Sequence, residues 1–324
     1  MPSTTGGPQG PAARSAHAGA AGAAPTAAVP PLSRSQLDRD HVSRILPDAV
    51  DRALAAASTR IVVVAGDRAP VRDGRLVRFA PGELPPDLAP VDPPVPPSWL
   101  GRLTPSDADE RGAVILSQLV AEPFEVPGAE WRSLREVGAD LDDADAGVLV
   151  QAVALGVWQR ESAHSPLDGS STAFEESGWV RRSESGAPHF PRTDPAVIVA
   201  IHDPADERIL LGHNAAWPEG RYSLIAGFVD PGESLEAAVV REVHEETGLR
   251  VVAPRYLGSQ PWPFPRSLMI GFECTAPDPD TLVPDGVEIL DVRWFTRDEL
   301  RSGVVQLPGR TSIASWILEA WLDR

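Results

Sequence analysis

Gly227-Phe-Val-Asp-Pro-Gly-Glu233-Ser-Leu-Glu-Ala-Ala-Val-Val-Arg241-Glu242-Val243-His-Glu245-Glu246-Thr-Gly248-Leu249 is the stretch whose reading decides the fold. It predicts a helix over Leu235–Thr247, with Ser234 able to cap its start and Gly248 to end it. On that helix Glu242, Glu245 and Glu246 are related by i, i+3 and i+4, so their carboxylates crowd one face. Like charges at this spacing repel and weaken a helix. A hard divalent cation turns the repulsion into binding, because Mg²⁺ and Mn²⁺ prefer carboxylate oxygens. Val240 and Val243 lie roughly 100° or more round the helix from those acids and are expected to face the core. Arg241 is placed to pair with Glu233 and hold the preceding loop against the helix. Two glutamates at i, i+3 alone would read as a solvated acidic face. Here a leading glycine, a leading Glu, an Arg and a terminating glycine accompany them.

The surrounding sequence supplies a sheet for this helix. Ala196–Ile201 and Arg208–Leu211 read as strands before it; Arg250–Leu257, Ser267–Ala276 and Glu288–Phe295 read as strands after it. Thr311–Leu322 is a closing amphipathic helix with Ile313, Trp316, Ile317 and Trp321 on its inner side. A mixed sheet between helices fits this order.

The part before residue 191 is of a different kind. Arg60–Ala65 and Gly112–Leu116 read as buried strands, and the proline-rich run from Pro85 to Pro97 between them reads as loop. Asp145–Ser162 has helical spacing, with Val148, Val150, Val153, Leu155 and Trp158 as apolar positions. The expectation is a small α+β domain over 35–160 with no chemistry of its own. Residues 1–34 are mostly Ala, Gly, Pro, Ser and Thr and cannot repay the entropy of ordering. A plain disordered tail is favoured there over a transit peptide, and no apolar stretch suits a secretory signal.

Composition narrows the partners. A net charge of -17 argues against a general nucleic-acid surface but not against small anions, since bound cations invert the local field. No stretch is long and apolar enough for a membrane span. The single cysteine, Cys274, can form neither an internal disulfide nor a Cys-rich metal site and is expected to be a small buried hydrophobe in a cytoplasmic protein.

The quoted stretch matches at every specified position the pattern G-x5-E-x7-R-E-U-x-E-E-x-G-U, with U apolar, and so resembles the Nudix hydrolases. That resemblance implies an α/β/α sandwich with Glu242 and Glu246 as main metal ligands and Glu245 assisting as ligand or base. Beyond it lies Gly258-Ser-Gln260-Pro261-Trp262-Pro263-Phe264-Pro265-Arg266-Ser267, expected to be a stiff loop holding Trp262 and Phe264. Ser-Gln-Pro-Trp-Pro-Phe-Pro-x-Ser after such a box resembles the signature of the NADH pyrophosphatase (NudC) family. It implies hydrolysis of NAD(H) to nicotinamide mononucleotide and AMP, removal of NAD caps from RNA in several members, a homodimer, and no membrane partner. It further implies substrate contacts from Gln260 to Ser267, a base held between Phe190 and Phe228 (Phe190 in one arrangement reaching in from a second subunit), and a further metal-binding glutamate at Glu288. The Ala226 carbonyl would be a metal ligand, Ala314 a substrate contact and Arg135 a weaker candidate for one.

Residues 161–190 stand where many relatives carry a four-cysteine zinc ribbon. The corresponding positions, Ser165, Asp168, Arg182 and Ser185, offer no thiolate, and His164 and His189 are poor substitutes, so no zinc is expected. The ribbon's shape is expected to persist through packing around Phe174 and Trp179. Two other readings remain open: a Nudix hydrolase of another nucleoside diphosphate derivative, such as ADP-ribose or coenzyme A, and an inactive nucleotide-sensing module.

Overall fold

A computed structural model describes residues 29–103 and 112–324. In chain order these form α1 (His41–Arg44), α2 (Ala49–Leu54), β1 (Arg60–Val64), β2 (Arg68–Arg72), β3 (Arg75–Leu76), β4 (Ser98–Arg102), β5 (Val114–Leu119) and β6 (Glu130–Ser133). Two further helices, α3 (Leu134–Val137) and α4 (Asp143–Glu161), complete the first domain. The ribbon is β7 (Thr172–Glu175), β8 (Val180–Ser183) and β9 (Pro188–His189). The last region holds β10 (Asp194–His202), β11 (Arg208–Asn214), β12 (Ile225–Phe228), α5 (Leu235–Thr247), β13 (Val252–Trp262), β14 (Ser267–Thr275), β15 (Ile289–Thr296), α6 (Arg297–Arg301) and α7 (Ile313–Leu322).

The sheet of this last region runs β13-β14-β10-β11-β15, with β12 also paired to β10. β10 and β14 are parallel and the other pairs antiparallel, so the sheet is mixed as expected. Alternation along β10 builds the two outer layers. Val197, Val199 and Ile201 pack with Ala238, Val239 and Val243 of α5 on one face. Ile198 and Ala200 pack with Ile313, Trp316, Ile317 and Trp321 of α7 on the other. This is the α/β/α sandwich. Val240 does not share in it: it is exposed, and Val239 takes the inward position. Four residues separate Val239 from Val243, which keeps both on one face, whereas Val240 is turned about 100° away. Cys274 is buried beneath α5, and burial pushes its thiol up to about 12.

The first domain is an α+β body of two three-stranded sheets, β1-β5-β4 and β3-β2-β6, around α4. The 85–97 run has no helix or strand, as its prolines predict. Helix α4 is buried nearly all round, including Asp145, Gln151 and Gln159, so its spacing marks a central helix rather than a one-sided one. Trp262 and Phe264 of the last region pack against this domain's core, which ties the two halves together.

The expectation of a disordered tail over 1–34 fails for its last six residues. Residues 1–28 lie outside the described residues, but 29–34 are docked on the body. Leu32 is buried, with its N–H donating to Gln260 Oε1 (3.1 Å). The Ser33 hydroxyl donates to the Ser259 carbonyl (2.6 Å), and Arg34 bonds Asp143 (2.9 Å) and the Leu141 carbonyl (3.0 Å). One buried leucine and an arginine with several acceptors outweigh a composition that predicts no order.

Residues 172–189 form a small antiparallel sheet, β7-β8-β9. Arg181 lies over Phe174 (4.0 Å to the ring centroid), and Trp179 donates its indole N–H to the Trp99 carbonyl (2.6 Å). Of the four positions named above, Asp168 accepts hydrogen bonds from Ser170, Ser185 and Ser165, while Arg182 pairs with Glu175 (2.8 Å). Among the described residues no helix is long and apolar enough to cross a membrane.

Candidate active site

Helix α5 begins and ends where the sequence sets it. The Ser234 hydroxyl accepts from the Ala237 N–H (3.2 Å), and Gly248 closes the helix in the left-handed region (φ 71°). Arg241 is the strut of the preceding loop. It donates to Glu233 through Nε (3.2 Å), to the Phe228 carbonyl (2.9 Å) and to Glu245 (3.0 Å), and it contacts Glu242 (2.9 Å). Glu233 in turn accepts from the Asp230 N–H (2.8 Å), and Arg241 holds its carboxyl below its usual range. Gly227 leaves room for the Glu242 carboxylate: a Cβ there would stand 2.0 Å from its carboxyl carbon and displace it.

The three acids of α5 differ in setting. Glu245 is exposed. Glu242 is half-buried, and burial raises its pKa; Arg241 opposes the shift, while Glu245 and Glu288 add to it. Glu246 is buried, at 5% exposure, and its Oε2 meets no hydrogen-bond donor among the described residues. Burial, then Glu242, Glu288, Asp285 and Glu245, push its carboxyl up to about 8. Among the described residues it has no ion-pair partner.

Among the described residues, no three acidic, His or Cys side chains stand in a ready coordinating set. Arg241 holds Glu242 and Glu245 through hydrogen bonds and ion contacts. The donor chemistry nevertheless fits a hard divalent cation: several carboxylates converge electrostatically on Glu246, whose buried oxygen is orphaned, and Gly227 leaves Glu242 room. Glu246, Glu288 and Ala226 all line one cavity of about 320 Å³.

The same cavity takes in Ala314, Trp262 and Arg135. Trp262 is not in a loop; it ends β13, and the prolines form a tight turn into β14, with Trp262 opposite Ser267. Phe264 meets Trp262 edge-on (4.8 Å between centroids), and the Arg135 guanidinium sits 3.7 Å from the Phe264 centroid and 5.1 Å from that of Trp262. The structure thus brings the first domain's arginine to the catalytic cavity, so that domain does not stand apart from the site.

The other residues of the Gln260–Ser267 run are placed differently. Gln260 is fully buried, accepting from Leu32 and donating to the Thr311 carbonyl (3.0 Å). Arg266 bridges Asp194 (2.8 Å) and Glu161 (2.6 Å). Pro261 pairs with Leu268 in the sheet, Pro263 and Pro265 form the turn, and Ser267 is buried. Phe190 and Phe228 are exposed, at 62% and 56%, and neither lines the cavity. Sequence reasoning missed Asp285, Asn214, Trp217 and Arg221. Asp285 acts on Glu246 from three positions before Glu288, and the other three line the cavity from the end of β11 and the segment after it. Only their nearness to the box in sequence could have hinted at them.

Residues 192–318 match the NUDIX domain family. Over 313 residues the chain is 40% identical to the NAD-capped RNA hydrolase NudC of Mycobacterium bovis, covering 90% of this chain and 95% of the relative. The match to the NudC of Mycobacterium tuberculosis has the same identity and coverage, and that of Stutzerimonas stutzeri is 36% identical over 71% of this chain and 83% of the relative. The fold and acid cluster define a Nudix hydrolase. Within that class, the chain belongs to the NudC family.

Proposed function

We propose that the protein hydrolyses the pyrophosphate of NAD(H), giving nicotinamide mononucleotide and AMP, and that an NAD cap at an RNA 5′ end is a substrate by the same chemistry. The observation that carries this reading is a single cavity. Glu246, Glu288 and Ala226 wall one part of it, and Trp262 and Arg135, with Phe264 behind, wall another. A diphosphate and a flat base need these two kinds of surface within one nucleotide's length. The names of the relatives, NAD-capped RNA hydrolases, support the same substrate class.

Glu242, Glu246, Glu288 and the Ala226 carbonyl would hold Mg²⁺ or Mn²⁺, which when bound supplies charge neutralisation of the diphosphate and an acidified water. The chain's own residues do the rest. Arg241 fixes the glutamate-bearing helix against the Glu233 loop, so the acids meet the substrate from a rigid support. Glu245, exposed and hydrogen-bonded to Arg241, can accept the proton of the attacking water. Trp262 and Ala314 set the nucleotide's position, and the tight hairpin turn holds Trp262 with little loss of entropy. Phe190 and Phe228, both exposed, are suited to close on a base, with Phe190 of a second subunit in a cytoplasmic homodimer.

The test is a metal-dependent assay on NADH, NAD⁺, ADP-ribose and coenzyme A with product identification, on the natural protein and Trp262→Ala. NADH should yield nicotinamide mononucleotide and AMP, and Trp262→Ala should lower kcat/KM for NADH about tenfold or more while affecting generic diphosphates less. NADH bound but uncleaved, or equal losses on all substrates, overturns the reading.

A further inference from the structure

The cavity beside the acid cluster has a second, positive part. Arg221 and Arg135 both line it. The Arg221 backbone is fixed from several sides: its N–H donates to the Pro218 carbonyl (3.3 Å), and its carbonyl meets His213 Nδ1 (2.8 Å). On either side, Gly220 and Tyr222 are bonded to Gln306 (2.8 and 3.0 Å). The guanidinium lies 5.3 Å from the Trp217 ring centroid, much as Arg135 lies over Phe264. Stacking of this kind holds a guanidinium by its face and leaves its in-plane N–H donors free for a planar or tetrahedral oxyanion. Among the described residues neither arginine forms an ion pair, whereas Arg241 and Arg266 each meet two or more carboxylates.

The cavity carries both signs of charge: Glu246 and Glu288 line it too, and among the described residues neither forms an ion pair with an arginine. Burial lowers the Arg135 pKa most; Asp67 opposes this and Arg221 adds to it, which places the two cations within reach of each other's field. The cation that the acids hold is shared between them and the diphosphate. Two further fixed positive charges in the same cavity, unpaired with any carboxylate among the described residues, are free to meet an additional phosphate.

We propose that Arg221, together with Arg135, forms a site for a phosphate carried on the ribose of the nucleotide half, beyond the diphosphate that is cut. The site rests on the diphosphate-hydrolase reading and deepens it, because it selects substrates with an additional phosphate. Two sources share this chemistry: the 2′-phosphomonoester of a phosphorylated dinucleotide, and the 3′-phosphodiester with which an RNA chain begins.

Binding without turnover tests it. Full-length metal-free protein is titrated calorimetrically with AMP, adenosine 2′,5′-bisphosphate and adenosine 3′,5′-bisphosphate. One bisphosphate should bind about tenfold more tightly than AMP, as an additional charge-assisted contact requires. Arg221→Ala should remove that gap and Arg221→Lys should keep part of it, with circular dichroism showing the fold intact. The isomer that gains identifies the source: the 2′ compound a phosphorylated dinucleotide, the 3′ compound RNA. The proposal fails if neither bisphosphate exceeds AMP, or if the gap survives in Arg221→Ala. Cleavage of NADH is not read here, so a failure of the hydrolase assignment would show separately in the assay above.

Discussion

Glu246 and Asp168 are both carboxylates at positions tied to metal in the resemblance to relatives, and their surroundings have opposite characters. Glu246 is buried, lacks a donor at Oε2 and is surrounded by other acids, so its carboxyl is pushed up to about 8. Asp168 is exposed and accepts from Ser170, Ser185 and Ser165, which hold it well below the usual carboxylate range. The first arrangement is costly unless a cation enters. The second is satisfied by the chain itself. Electrostatic frustration of this kind suits a carboxylate that takes up a cation, and its relief by hydroxyls suits a carboxylate with a structural part.

The largest effect should come from removing the frustrated charge. Glu246→Gln keeps the shape and loses the carboxylate; kcat/KM for NADH should fall about 10²–10⁴-fold, measured by AMP release. Near-normal turnover would break the contrast, since Glu246 would then be no more engaged in chemistry than Asp168.

Next comes stability against pH in metal-free protein. The carboxyl of Glu246 has an ordinary value of 4.5 and a folded value of about 8, so the folded state holds the proton more tightly than the unfolded chain. Its contribution is complete below pH 4.5 and is lost as pH rises through about 8. Melting in chelator should show Tm falling between pH 6 and pH 9, on the order of a few kcal/mol of stability. Glu246→Gln should flatten that slope and raise Tm at the upper end, and added Mg²⁺ should raise the Tm of the natural protein there. A slope unchanged in Glu246→Gln would show that other groups carry it.

What could be read from the sequence follows the range of the interactions. Helix α5 matched its expected limits because Ser234, Gly248 and the acid spacing act within a few residues. The alternation of β10 gave both faces of the sandwich for the same reason. Val240 was misplaced by one position, since an apolar pair offset by one cannot be ranked without knowing the exact face toward the sheet. Gln260 is a clearer case. Its amide spans Leu32 and Thr311, far apart in the chain, and nothing local to the proline-rich motif reveals that its side chain turns into the body. Arg135 against Phe264 is likewise a contact across domains, legible only as a suspicion.

The smallest effect belongs to the satisfied acid. Asp168 has a depressed folded value, so it adds stability above the ordinary carboxylate value of 3.8, and that stability is lost only as pH falls through the folded value. Because the group is exposed, solvent and salt screen its bonds. Asp168→Asn should lower Tm at neutral pH by less than Glu246→Gln raises it at pH 9, and the loss should shrink as the medium is acidified. Zinc should not repair it: Ser165, Arg182 and Ser185 offer two hydroxyls and a cation already paired with Glu175, none of them a ligand that zinc prefers. Differential scanning fluorimetry of the natural protein and Asp168→Asn, with and without zinc, decides the matter. If zinc raised Tm in the natural protein and not in Asp168→Asn, Asp168 would be a metal ligand after all, and the difference between the two carboxylates would be one of degree.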